Sequence, residues 1–283
     1  MLLLGLTGSI ATGKSTVSTL LSQPPYNLPV IDADLLARKV VEPGTSGYTK
    51  ILKHFSSTTP DLLLPSSEVG EDGPNNKGRP LNRPALGRRV FGNEPERKQD
   101  RAVLNGIVHP AVRREMYKAL FRHYIRGHWA VVLDIPLLFE SGLDLMCGTV
   151  MVVAVRDPEI QMKRLRERDP HLTPEDAANR VMSQTDVREK AKRAEARGLG
   201  AGVVVWNDGN REELQKEITR TMHVIKKQSP SWWSWLLLFM PPIAAVFGVW
   251  NLFRSWLAGR RWAKGHQRGE GRGPGSFGKP KLA

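Results

Sequence analysis

Residues 8–15 read Gly-Ser-Ile-Ala-Thr-Gly-Lys-Ser, a full G-x-x-x-x-G-K-[ST] phosphate-binding loop. No other feature constrains the fold as much, because the pattern works only between a buried strand and the start of a helix. Leu2-Leu3-Leu4-Gly5-Leu6 before it reads as that strand, and Thr16 to Leu21 after it as the opening of the helix. The glycines let successive backbone N–H groups turn inward and form an anion-binding nest at the helix N-terminus. Gly8, Ser9, Ile10, Ala11, Thr12, Gly13, Lys14, Ser15 and the following Thr16 are therefore the expected nucleotide site. Lys14 is placed to reach the β- and γ-phosphates, and Ser15 to offer its hydroxyl to Mg²⁺. The apolar first residues carry no basic leader and run straight into the loop, so they read as a strand and not as a signal peptide.

Further apolar runs end in polar residues. Val30-Ile31 leads into Asp32-Ala33-Asp34, and Ala130-Val131-Val132-Leu133 ends in Asp134. Thr149 to Val155 is a fourth run, and Val203-Val204-Val205 a fifth, followed by Trp206-Asn207-Asp208-Gly209. Helical patterns lie between them: about Glu94 to Arg126, interrupted at His109-Pro110, then Pro158 to Arg168, Thr173 to Arg197 and Glu212 to Ile225. Strands alternating with helices predict an α/β fold with a central parallel sheet. Ligands of such sheets bind beyond the carboxyl ends of the strands. Residues 56–80, rich in Ser, Pro, Gly and Asp, read as a mobile surface insertion. The single cysteine, Cys147, excludes a disulfide framework and reads as a buried apolar residue.

Several of these segments together resemble dephospho-CoA kinase. The resemblance is carried by Gly5 to Thr16, Val30-Ile31-Asp32-Ala33-Asp34, Val40-Val41-Glu42-Pro43-Gly44 and His109-Pro110. It is carried also by Asp134-Ile135-Pro136-Leu137-Leu138-Phe139-Glu140, the Gln161, Arg164, Arg168 spacing, and Asn207-Asp208-Gly209. It covers about residues 1–226 and implies a P-loop nucleotide-kinase fold with a core, a lid at about 157–200 and a helical substrate-binding region. The implied reaction transfers phosphate from ATP, with Mg²⁺, to the ribose 3′-hydroxyl of dephospho-CoA. Asp34 matches the family's catalytic base; a plain helix cap is the alternative for it. Arg164 matches a lid residue that contacts ATP, and Arg168 lies one turn further on the same helical face. Asn207 and Gly209 match a loop beside the adenine. His109, Leu138, Phe139 and Glu140 fall on the acceptor side, and Asp134 is assigned there rather than to a metal. Ser9 stands where the family has a glycine, and the run from Arg193 to Gly202 reads as a longer surface loop. A kinase of another nucleoside or nucleotide acceptor, and a membrane- or RNA-associated adaptor with a nucleotide-binding domain, remain as alternatives.

The formal net charge is +14, and half of it lies from Arg254 onward, where eight Lys/Arg meet only Glu270. Ser231 to Phe253 holds no charge, with tryptophans at both ends and Pro241-Pro242 in the middle. As one helix it would span roughly 34 Å, enough for a hydrocarbon core of about 30 Å. Residues 231–257 are thus expected to be a membrane segment, spanning or bent back at the prolines, that holds the protein on lipid through 231–253. Residues 258–283 are expected to form a disordered basic tail. The kinase domain is expected to face the cytosol, on an endoplasmic reticulum, lipid droplet or mitochondrial outer membrane, and no specific nucleic-acid partner is expected.

Overall fold

The computed structural model describes residues 1–73, 76–182, 186–228 and 241–270. The chain divides into two compact units, residues 1–30 with 127–283 and residues 31–126.

The first unit is built on the sheet. Strand β1 (Leu2–Gly8) runs into the phosphate loop and helix α1 (Lys14–Ser22). Strand β2 (Val30–Asp32) carries the chain into the second unit, which holds α2 (Ala33–Lys39), α3 (Ser46–Phe55), α4 (Ser66–Val69), α5 (Arg83–Val90) and α6 (Pro95–Ile125). The chain returns through β3 (Ala130–Asp134), a short 3-10 helix (Leu143–Met146) and β4 (Thr149–Ala154). Then follow α7 (Pro158–Arg168), α8 (Pro174–Met182), α9 (Val187–Glu195), β5 (Gly202–Trp206), α10 (Arg211–Gln228) and α11 (Pro241–Glu270). The strand order is β2-β3-β1-β4-β5, and β1 pairs in parallel with both β3 and β4. β3 and β4 are buried at every residue, as strands covered on both faces must be. Leu4, Leu6, Val17, Leu21, Met151, Val153 and Ile218 form the core between sheet and helices.

Four sequence expectations are corrected. First, α6 does not stop at His109-Pro110 but runs on through Pro110. A proline inside a helix forfeits one backbone hydrogen bond. α6 survives because it packs along its length against α2, α3 and α5, and tertiary packing supplies most helical stability. Second, residues 56–80 are not merely a surface insertion. Leu62 is buried with Tyr48, Ile51, Phe55, Leu81 and Leu86 in the core of the second unit. Leu63 pairs with Leu81 across an antiparallel bridge. Third, the run before β5 begins as helix, since Arg193 to Glu195 end α9, and only residues 196–201 form the surface turn into β5. That turn is anchored from within: the Arg197 side chain is only 6% exposed and donates to Asp144 Oδ2 at 3.2 Å, to the Cys147 carbonyl at 2.9 Å and to Ser255 Oγ of α11 at 3.0 Å.

The fourth correction concerns the C-terminal region. Pro241 and Pro242 stand at the start of α11 (Pro241–Glu270). Proline suits a first helical turn, where its missing N–H costs no bond. The helix then runs to Glu270, through Arg254, Arg260 and Arg261, so residues 258–270 are helical and not part of a disordered tail. Among the described residues, no helix is long and apolar enough to cross a membrane. Residues 229–240, the first part of the expected anchor, and residues 271–283 lie outside the described residues.

Candidate active site

The phosphate loop turns at the carboxyl end of β1. Ala11 and Gly13 both take positive φ, 59° and 93°. Thr12 folds back, its hydroxyl donating to the Ser9 carbonyl at 2.9 Å. Serine at position 9 is therefore compatible with the turn, since its backbone oxygen does the work. The buried Gln161 side chain donates to the Ile10 carbonyl at 2.7 Å, which ties α7 to the loop. Asn207, at the end of β5, donates through its side-chain amide to the Thr12 carbonyl at 2.9 Å. The loop's carbonyls at Ile10 and Thr12 are thus held from behind by α7 and β5.

Lys14 ion-pairs with Asp134 at the end of β3. Asp134 is almost fully buried, and its register opposite Leu6 sets it beside the loop. The sequence reading put Asp134 on the acceptor side. In the structure it stands beside the loop lysine.

The loop after β5 is pinned from two further sides. Arg164 donates to the Asn207 carbonyl at 2.6 Å and to the Gly209 carbonyl at 3.0 Å. Arg156 reaches Asp208 at 2.6 Å and stacks over the Trp206 ring at 4.6 Å. Phosphate loop, Asp134, Arg164 and the 207–209 loop thus form one constellation at the carboxyl edge of the sheet. Such an arrangement can grip a nucleoside triphosphate by its phosphates and border its base.

Sequence and structure comparisons agree on what this constellation serves. A family profile described as dephospho-CoA kinase matches residues 2–213. The chain belongs to the dephospho-CoA kinase family. It is 42% identical over 247 residues to the dephospho-CoA kinase CAB5 of Saccharomyces cerevisiae, covering 87% of this chain and 90% of that protein. It is 44% identical over 220 residues to the dephospho-CoA kinase of Geobacillus kaustophilus, covering 77% of this chain and 93% of that one. Among solved structures, a dephospho-CoA kinase from Campylobacter jejuni matches with a TM-score of 0.57 at 27% identity, over 80% of this chain and 98% of that chain. The reaction is therefore ATP-dependent phosphorylation of dephospho-CoA at its ribose 3′-hydroxyl, the last step of coenzyme A biosynthesis.

In this dephospho-CoA kinase some expected site residues fall elsewhere. Arg168 is not brought to the phosphate loop but pairs with Asp169 at 3.0 Å, a bond that holds the Asp169 carboxyl below its usual range. Leu138 and Phe139 are buried, and Phe139 lies under the Arg193 guanidinium at 4.5 Å, so neither offers a surface to the acceptor. Glu140 is exposed and pairs with Lys190 at 2.9 Å. Lys190 itself is almost fully buried and also donates to the Pro136 carbonyl at 3.1 Å. Thr7 donates to the same carbonyl at 2.8 Å. The Pro136–Glu140 turn is thereby fastened to both β1 and α9. The role of Lys190 was not foreseen, and Gln161 was singled out only by its spacing from Arg164 and Arg168, without a role.

In the second unit, the start of α2 divides the labour of its two aspartates. Asp32 is the N-cap, its carboxylate accepting from the amides of Asp34 at 2.8 Å and Leu35 at 3.0 Å. Asp34 is left exposed in the first turn. His109 is exposed on α6.

Proposed function

We propose that Asp34 takes the proton of the acceptor hydroxyl, and that residues 8–16 hold the phosphates of ATP while the γ-phosphoryl group moves. The observation that supports this reading is the capping of α2 by Asp32, which frees Asp34 from the capping role. A sugar hydroxyl is a weak nucleophile, and a carboxylate within reach of its proton typically contributes 10²–10⁴-fold. Lys14 would leave Asp134 in part to meet phosphate oxygens as charge develops on them. Arg164 orders the 207–209 loop beside the base, and Asn207 links that loop to the phosphate turn.

Mg²⁺ fits the donor set. Among the described residues no group of three or more His, Cys, Asp or Glu could hold a metal. Mg²⁺ does not need one: it takes one or two protein groups together with substrate phosphates and water. The Ser15 hydroxyl and the Asp134 carboxylate would hold it, and it would neutralise charge on the β- and γ-oxygens. Asp34→Asn should lower kcat by about 10²-fold or more with ATP affinity retained. Near-normal turnover would return Asp34 to a structural role.

We also propose that α11 lies on a membrane surface, with the kinase domain facing the cytosol. Val246, Val249 and Trp250 are at least 60% exposed, and Arg254, Arg260 and Arg261 follow on the same helix. Apolar residues beside cations suit an in-plane helix on anionic lipid. The full chain should float with anionic vesicles, and a chain ending at Gln228 should not. Equal flotation of the two would remove α11 from lipid binding.

A further inference from the structure

The second unit carries an open surface cavity of about 570 Å³ between the end of α2, the start of α3 and the middle of α6. Its wall carries four cations, Lys39, Lys50, Arg114 and Lys118. Among the described residues, the only carboxylate on that wall is Glu115. Glu115 accepts from Lys118 at 2.7 Å, and this bond, with Arg114 and Lys39 close by, holds its carboxyl below the usual range. One carboxylate cannot balance four cations. The first two residues of α3, Ser46 and Gly47, line the same wall. Amides of a first helical turn have no partner within the helix and carry the positive end of its dipole. A Cβ on Gly47 would sit 2.3 Å from the Val40 carbonyl oxygen, so glycine is what lets the Val40–Gly44 turn close against α3 and shape the cavity.

We infer that this cavity binds the 5′-diphosphate of the acceptor, dephospho-CoA. The inference rests on Asp34 serving the 3′-hydroxyl. Asp34 and Lys39 stand on one helix, about 7.5 Å apart along its axis at 1.5 Å per residue. The diphosphate does not react. Binding energy from a non-reacting group can hold the hydroxyl in place for transfer. Cations around a cavity, with helix amides among them, are the chemistry that recognises such a group. The diphosphate would thus distinguish dephospho-CoA from a bare nucleoside, and would align its ribose with α2.

Steady-state kinetics on the full chain test this. Arg114→Ala and Lys50→Ala should each raise KM for dephospho-CoA about tenfold, the usual worth of a hydrogen bond to a charged group. KM for ATP should move less than about twofold, because these cations serve the acceptor and not the nucleotide donor. Arg114→Lys should recover most of the loss. Glu115→Gln should act in the opposite direction and lower KM for dephospho-CoA, since it releases Lys118; damage to folding would not improve affinity. An unmoved KM for dephospho-CoA in Arg114→Ala, or equal rises for both substrates, would overturn the diphosphate site. A normal kcat in Asp34→Asn would instead remove the base assignment alone.

Discussion

At the scale of single residues, Gly13 is the least replaceable position of the phosphate loop. Its φ of +93° is open to few residues but glycine. A Cβ there would also lie 2.3 Å from the Asn207 side-chain nitrogen. Gly13→Ala must therefore strain the turn and dislodge the amide that holds Thr12. ATP affinity, read by calorimetric titration, should fall tenfold or more; an unchanged affinity would contradict the account of the loop. Cys147 yields a pH prediction. It is buried, and desolvation pushes its thiol from 9.0 up to about 12. Between those values the unfolded chain gives up a proton that the folded chain keeps, so stability must fall as pH rises through that window. Cys147→Ala should flatten the alkaline slope of denaturation midpoints from pH 9 upward. A slope identical to the parent's would show that other groups cause it. Lys14, Ser15 and the surrounding loop were legible in the sequence because their chemistry is local to one turn. The division between Asp32 and Asp34 was legible only through the family resemblance, because from its place in the chain Asp34 could equally cap α2. Gln161 and Lys190 act on segments 151 and 54 residues away, so even the spacing that singled out Gln161 did not say what it would hold.

At the scale of elements, the strands were legible because continuous apolar runs ending in Asp134 or Asn207 have few other uses. The helices were legible wherever their own composition decided them. They were misread where packing decided. α6 passes through Pro110 because its neighbours hold it. Leu62 enters a core from within a stretch whose composition reads as loop. α11 continues past residue 258 because Arg, Ala and Trp tolerate a helix, although the tail's charge suggested disorder. The Arg197 node is the clearest case of an element fixed from outside. Its guanidinium joins Asp144, the turn at Cys147 and Ser255 of α11, and both ion-pair partners are buried. Breaking a buried pair from one side leaves an uncompensated charge and typically costs 3–5 kcal/mol. Arg197→Ala should lower the unfolding free energy by about that amount in denaturant titration. Ser255→Ala removes one acceptor only and should cost about 1–3 kcal/mol. If Arg197→Ala were neutral, the node would not be holding the run before β5.

At the scale of the whole molecule, two units share the work. The first carries the phosphate loop, Asp134, Arg164 and the 207–209 loop on one edge of a parallel sheet. The second carries Asp34 and a cationic cavity on its helices. This division follows from the chain's path, since β2 leaves the sheet directly into α2 and the return comes only at β3. The measurement that bears most directly on the central claim is the position of the new phosphate. The full chain is incubated with ATP, Mg²⁺ and dephospho-CoA, and the product is resolved by phosphorus NMR and mass spectrometry. One phosphate on the ribose 3′ oxygen for each ADP formed, with the product identical to coenzyme A, is the result expected. Folded protein that binds ATP yet forms no coenzyme A, or places the phosphate on another oxygen, would contradict it.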